Sequence, residues 1–266
     1  MSHITGLVLT LNSERLLGKC LESMNFCDRI VVVDSFSTDA TETIARSAGC
    51  IFVQHKWHGL LKQYEFAFDL LKGMDTEWVF SLDSDEICSD ELRSSILAAL
   101  RTDENRQTAA SLAGYWIPRR SWYYDHFLTH SGWYPDYLLR LFKISSMYMG
   151  NSGAHTTFNP DGPTAKLQGD ILHYPYSNFR EHLDKINSYA QQGADDMAAK
   201  GRKGGILPGL LHGFGRFLRI YVLKRGFLDG RAGFINAAHG AFYAFLKYVR
   251  INEGNWGFPY NHREQR

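Results

Sequence analysis

The first hundred residues alternate between two spacings of apolar side chains. Ile4 to Leu11 is an apolar run of strand length, and behind it Leu16, Leu17, Cys20, Leu21 and Met24 recur at helical spacing, with Asn12 or Ser13 placed to cap the helix. Arg29-Ile30-Val31-Val32-Val33-Asp34 predicts a second strand, Ala40 to Ala48 a second helix closed by Gly49, and Ile51 to Val53 a short third strand. A helix from about Leu60 to Leu71, a strand over Trp78-Val79-Phe80-Ser81-Leu82 and a helix from Asp90 to Leu100 continue the series. Strand and helix in this rhythm predict an α/β fold, a mostly parallel sheet with helices on both faces. After Pro175 the pattern turns helical, so the chain divides into a sheet domain over 1–175 and a helical region over 176–266.

Open sheets of this kind take ligands at the carboxyl ends of their strands. Acids stand at two such ends, Asp34 after the second strand and Asp83-Ser84-Asp85-Glu86 after the fourth. A buried, unpaired carboxylate is costly, so such acids face water, a cation or a sugar hydroxyl, or they serve as turn and capping acids. Two carboxylates one residue apart can share a hard divalent cation, Mg2+ or Mn2+, which also takes phosphate oxygens. The dinucleotide fingerprint is absent, since Thr10-Leu11-Asn12-Ser13-Glu14 stands where the glycines belong, and no phosphate-binding Walker loop occurs. An Asp-x-Asp phosphatase would carry its pair after the first strand rather than the fourth. A nucleotide-sugar site remains, with Asp34 suited to the uracil or ribose and Asp83 and Asp85 to metal and diphosphate.

Composition adds less. The chain has 266 residues, 44% of them hydrophobic, and a formal net charge of +1. No nucleic-acid partner is indicated. Cys20, Cys27, Cys50 and Cys88 form no C-x-x-C pair, which predicts reduced thiols. The start of the chain has no signal-peptide pattern, and the longest charge-free apolar-rich stretch, Ala232 to Leu246, falls short of the roughly 20 residues a bilayer span needs. The near-neutral total is a cancellation: residues 200–250 hold ten Lys and Arg against Asp229, while the first 199 residues carry 17 basic and 25 acidic groups. Phe214, Phe217, Leu218, Tyr221 and Val222 fall on one helical face, and Phe234, Ala238, Ala241, Phe245 and Tyr248 on another. A basic helix with an apolar face either lies on an anionic membrane surface or packs on the sheet domain.

Three stretches resemble family 2 glycosyltransferases of the GT-A fold: Val33-Asp34-Ser35-Phe36-Ser37-Thr38-Asp39-Ala40-Thr41, then Lys62-Gln63, then Trp78 through Glu86. The stretch Gly132-Trp133-Tyr134-Pro135-Asp136-Tyr137-Leu138-Leu139-Arg140-Leu141-Phe142 and the later Ile171-Leu172-His173-Tyr174 are similar to the lipopolysaccharide core β-glucosyltransferase branch. The resemblance implies inverting, metal-dependent transfer from a UDP-sugar, most simply UDP-glucose, to a lipid-linked saccharide. It implies donor contacts from Asn12, Asp34, Lys62, Asp83 and Asp85, and a place on the cytoplasmic face of the bacterial inner membrane. Capsule, exopolysaccharide and protein-glycan transfer are the neighbouring alternatives. This chain departs from the branch at Ala154-His155-Thr156, where a glutamate normally follows the histidine, and that vacancy also leaves open a non-catalytic nucleotide-sugar-binding subunit.

An inverting transfer needs a base for the acceptor hydroxyl. Asp136, in an aromatic loop, and His155 are the candidates, with an ion pair between Asp136 and Arg140 as the structural alternative for the first. Trp133, Tyr134 and Tyr137 flank Asp136 and are expected to stack on the acceptor sugar. Arg119 and Arg120 can meet phosphate or acidic sugars, or are solvated. His173 is expected to be a core histidine, with a metal-ligand role as the alternative.

Overall fold

The computed structural model describes residues 3–105, 112–152 and 155–251. Strand β1 (Ile4–Thr10) sends alternate side chains to two helical layers, as a buried strand of period two must. Ile4 and Val8 meet Leu17, Cys20 and Leu21 of α1 (Leu17–Ser23), in the same cluster as Val32 of β2 (Arg29–Asp34) and Ala45 of α2 (Thr41–Ser47). Leu7, with Val31 and Val33, instead meets Tyr64, Ala67, Phe68 and Leu71 of α3 (Leu60–Lys72), which follows β3 (Ile51–Gln54). Next, β4 (Trp78–Asp83) divides its residues the same way: Phe80 and Leu82 join the α1 layer and Val79 the α3 layer. These four strands are parallel, in the order β3-β2-β1-β4. The chain leaves β1 towards one side and β4 lies on the other, so the crevice beyond their carboxyl ends is the switch point where such sheets bind ligands.

The stretch between residues 100 and 175 completes the sheet. After β5 (Glu86–Cys88) and α4 (Asp90–Asn105) come β6 (Gly114–Tyr123), β7 (His126–Phe127) and β8 (Asp136–Lys143), then β9 (Met147–Ser152), β10 (His155–Pro160), β11 (Thr164–Lys166) and β12 (Ile171–His173). Strand β8 runs antiparallel between β4 and β6, and the sheet continues through β12 to β5, while β9 and β10 form a separate hairpin. The sheet is therefore mixed, with helices on both faces of its parallel part.

The chain folds as two units, one running to Ser121 and resuming over Pro135–Tyr174, the other taking Trp122–Tyr134 and continuing from Pro175. In the second unit, α5 (Phe179–Ala199) and α6 (Ile206–Leu218) both pack on α7 (Gly230–Arg250). Asp229, the one acid of the basic stretch, is buried there and accepts from the backbone of Thr129 and His130 and from the Ser131 hydroxyl (2.7 Å). The four cysteines are unpaired, and burial pushes the Cys20, Cys27, Cys50 and Cys88 thiols up, which makes them inert at neutral pH.

Candidate active site

The loops beyond β1, β2 and β4 are tied to one another through their polar side chains. Asn12 adopts a left-handed backbone (φ 50°); its N–H donates to Ser37 Oγ (2.8 Å) and its Oδ1 accepts from the Thr38 N–H (2.9 Å). Asp34 is fully buried and accepts from Thr10 Oγ1 (2.9 Å) and the Ser37 N–H (2.8 Å), so it pins the turn that follows β2. Ser84 donates to Ser13 Oγ (2.9 Å), which links the β4 end to the β1 end. Lys62 is not part of this group. It stands exposed in the first turn of α3 and pairs with Glu65 (2.6 Å), while its buried neighbour Gln63 contacts His55 and Ser35.

Beneath the switch point lies a network of acids and guanidiniums. Both oxygens of Asp83 accept from Arg140, Oδ1 at 3.2 Å and Oδ2 at 2.6 Å. Glu86 is fully buried, accepts the Asp83 N–H (2.9 Å) and meets Arg140 (3.2 Å) and Arg119 (3.1 Å). Arg119 also grips Oδ2 of Asp136 through Nε (3.1 Å) and Nη2 (2.7 Å). Burial would by itself lift the Asp83 carboxyl, but the adjacent Arg140 guanidinium outweighs it and holds the acid below the usual carboxylate range. For Glu86 burial wins, helped by the Asp83 charge, and its carboxyl is raised despite Arg140. Arg140 itself is buried but held cationic by Asp83 and Glu86. Tyr64, under the same roof, is pushed up to about 12 by burial and by Asp83, so its phenol stays protonated. These groups border a cleft of about 340 Å³ with Leu60, Trp116, Leu138 and Phe158 as its apolar walls.

Asp136 was expected in a loop, or paired with Arg140 four residues on. It instead opens β8, where four residues separate two side chains by roughly 13 Å, beyond ion-pair reach. Its partner is Arg119, directly opposite in the β6–β8 register. His155 begins β10; its side chain lies outside the described residues. Trp133 packs edge-on against Tyr123 (5.3 Å) in the second unit, whereas Tyr137 belongs to the first and lies under the Lys166 ammonium (3.8 Å). Tyr134 is half-buried in the second unit.

A metal was expected on Asp83 and Asp85. The Asp83 oxygens are engaged by Arg140, and the donors that face one another are Asp85 Oδ2 and His173 Nε2, 3.6 Å apart. The other nitrogen of His173 meets Ser121 Oγ (3.0 Å), which fixes the orientation of the ring. Among the described residues no group of three acid, histidine or cysteine side chains is gathered for an ion. Two protein donors fit a cation whose remaining positions go to phosphate oxygens and water.

The glycosyl transferase family 2 profile matches residues 7–158, more than half of the chain and the whole of the acid network through Arg140. The chain belongs to glycosyl transferase family 2. It is a glycosyltransferase. The lipopolysaccharide core biosynthesis glycosyltransferase LpsC of Rhizobium meliloti (strain 1021) is 29% identical over 255 residues, covering 93% of this chain and 91% of that protein. An uncharacterized glycosyltransferase of Rickettsia typhi is 26% identical over 263 residues, covering 95% and 88%. Among solved structures, S. aureus TarS 1-349 in complex with UDP-GlcNAc aligns over 98% of this chain and 92% of its own, with 14% identity and a TM-score of 0.46. In this family 2 glycosyltransferase the acids are legible in the sequence, and their pairing with Arg119 and Arg140 is not. Arg140 carried a signal nonetheless: it interrupts the apolar run Leu138 to Phe142, and a guanidinium buried there needs carboxylates.

Proposed function

We propose that this glycosyltransferase moves a hexose, glucose from UDP-glucose, to a lipopolysaccharide core or related lipid-linked glycan with inversion at the anomeric carbon. The observation that carries the reading is the acid pair Asp83 and Asp85 at the carboxyl end of β4, at the switch point of the sheet and beside Arg119 and Arg140. The kinship with a lipopolysaccharide core enzyme supports the acceptor class. Asn12 and Asp34 shape the neighbouring loops where the uridine would rest. Mg2+ or Mn2+, held by Asp85 and His173, would supply charge neutralisation for the departing diphosphate. Asp83, clamped by Arg140, fixes the turn that presents Asp85. Asp136 takes the acceptor proton, its carboxylate aimed by the Arg119 grip on Oδ2. His155 is the alternative base. Transfer takes place at the cytoplasmic face of the inner membrane, where donor and anchored acceptor meet; among the described residues no helix is long and apolar enough to cross a membrane.

The test is a melting panel of nucleotide sugars with Mg2+ or Mn2+, followed by release of UDP from UDP-glucose. Saturation at 100 times Kd raises apparent stability by about 2.7 kcal/mol. The reading expects selective stabilisation by UDP-glucose with metal, loss of the metal requirement's effect in Asp85→Asn, and loss of transfer with retained donor binding in Asp136→Asn. A melt that no uridine nucleotide shifts would overturn the donor site.

A further inference from the structure

Helix α6 is packed back to front for a helix in water. Two of its three glycines face α7: a Cβ on Gly209 would lie 3.1 Å from the Phe245 carbonyl oxygen, and one on Gly213 would lie 3.0 Å from that of Ala241. His212 stacks on Tyr248 at 4.3 Å, on the same side. The apolar stripe expected on α7 is thus partly consumed, because Ala241, Phe245 and Tyr248 are turned to α6. The bulky side chains of α6 point the other way: Ile206, Leu207, Leu210, Leu211 and Phe214 are 56% to 68% exposed. A surface helix ordinarily buries its large apolar stripe and shows its small or polar residues. Close packing through small residues with the large ones outward is the arrangement of helices whose surroundings are lipid.

Charge identifies the surroundings further. Arg202 and Lys203 precede α6, Arg219 lies at its end, and Lys224 and Arg225 follow, all exposed. The one acid among residues 200–250, Asp229, is buried and already occupied by Thr129, His130 and Ser131. A second copy of the chain would bring two such cationic surfaces together, which like charge opposes. A layer of anionic headgroups over acyl chains complements both features at once. At 13 residues α6 is roughly 20 Å long, too short to span a bilayer but suited to lying in its surface.

We infer that the outward face of α6 inserts into an anionic lipid bilayer, with the flanking Arg and Lys side chains on the headgroups. This deepens the lipid-linked acceptor reading and rests on it for its purpose, since it names the surface that would bring the enzyme to its acceptor.

The full chain is floated with vesicles of phosphatidylcholine alone or mixed with phosphatidylglycerol, at low and high salt. It is expected to rise with the anionic vesicles at low salt and to stay down with the neutral ones. Leu211→Gln with Phe214→Gln should weaken vesicle binding at least tenfold and leave UDP release from UDP-glucose unchanged. Arg219→Gln should weaken it roughly fivefold at low salt, the share of one cation near the surface. Because a double variant can misfold, Phe214→Trp is the second measurement: its added fluorescence should be quenched by brominated lipid. A chain that never floats, a double variant that floats undiminished, or a dimer that Leu211→Gln dissolves without any vesicle binding would each overturn the inference. Vesicle binding without UDP release would instead count against UDP-glucose as the donor and leave this inference standing.

Discussion

Arg140 enters the sheet on β8 between Leu139 and Leu141, both buried, and divides its guanidinium between Asp83 and Glu86. Two carboxylates and one cation in this space hold together only while the cation is there. Arg140→Met keeps most of the volume and removes the charge, leaving Glu86 with Arg119 alone and Asp83 without its bidentate partner. Loss of one member of a buried pair costs about 3–5 kcal/mol. Urea unfolding of Arg140→Met should show a loss of that size, and Arg140→Lys should recover only part of it, because an ammonium cannot match the two-pronged contact. If Arg140→Met were as stable as the parent, the network would not be structural. Ser121 offers a gentler probe of the same site. Its hydroxyl fixes the His173 ring, and Ser121→Ala should weaken Mn2+ binding about tenfold or more in a direct titration while the fold is kept.

Elements settle which of these residues can meet. The first four strands and four helices announce themselves in sequence because each is a continuous run with its own period, and the structure places them within a few residues of those runs. The strands from β5 onward are short or antiparallel, and what matters in them is register, which no local pattern carries. Arg119 lies opposite Asp136 only because β6 pairs with β8, and Asp83 finds Arg140 across 57 positions of sequence. The acid half of the site was therefore legible and the cationic half was not. A similar non-local constraint rests on Gly169, just before β12. Its φ is +83°, and an added Cβ would lie 2.2 Å from the backbone nitrogen of Leu92 in the first turn of α4. Backbone cannot swing aside as a flexible side chain can. Gly49 has a similar φ of +73° with open space around it. Gly49→Ala should cost about 1 kcal/mol from the left-handed backbone alone, and Gly169→Ala should cost about 1–3 kcal/mol more from the clash. Equal losses for the two in chemical denaturation would mean that the close approach to α4 is not there.

For the whole molecule, a net charge of +1 hides two opposite halves, an acidic stretch carrying the strand-end carboxylates and a basic stretch carrying α6 and α7. The acid excess already counts Arg119 and Arg140, and the second unit holds a titrating cluster of its own. His182 and His239 converge on Tyr123: the phenol oxygen is 3.3 Å and 2.8 Å from their Nδ1 atoms, which stand 3.1 Å apart. Burial, then the neighbouring His239 and Lys185, lowers His182 to about 4, and burial lowers His239 as well. The sign follows from proton counting. An unfolded chain takes up a proton on His182 near pH 6.5, whereas the native chain refuses it until about pH 4, so acid favours unfolding across that interval. The stabilisation is complete above pH 6.5, declines as the pH falls, and for His182 amounts to about 3 kcal/mol in all. Carboxylates titrate over part of the same range, so the informative quantity is the difference between two chains. Replacement His182→Phe keeps a ring in the pocket and removes the titration; its stability relative to the parent should rise steadily from pH 7 to pH 4. A difference that stays flat over those pH values would show that His182 is protonated as freely in the folded chain as in the unfolded one.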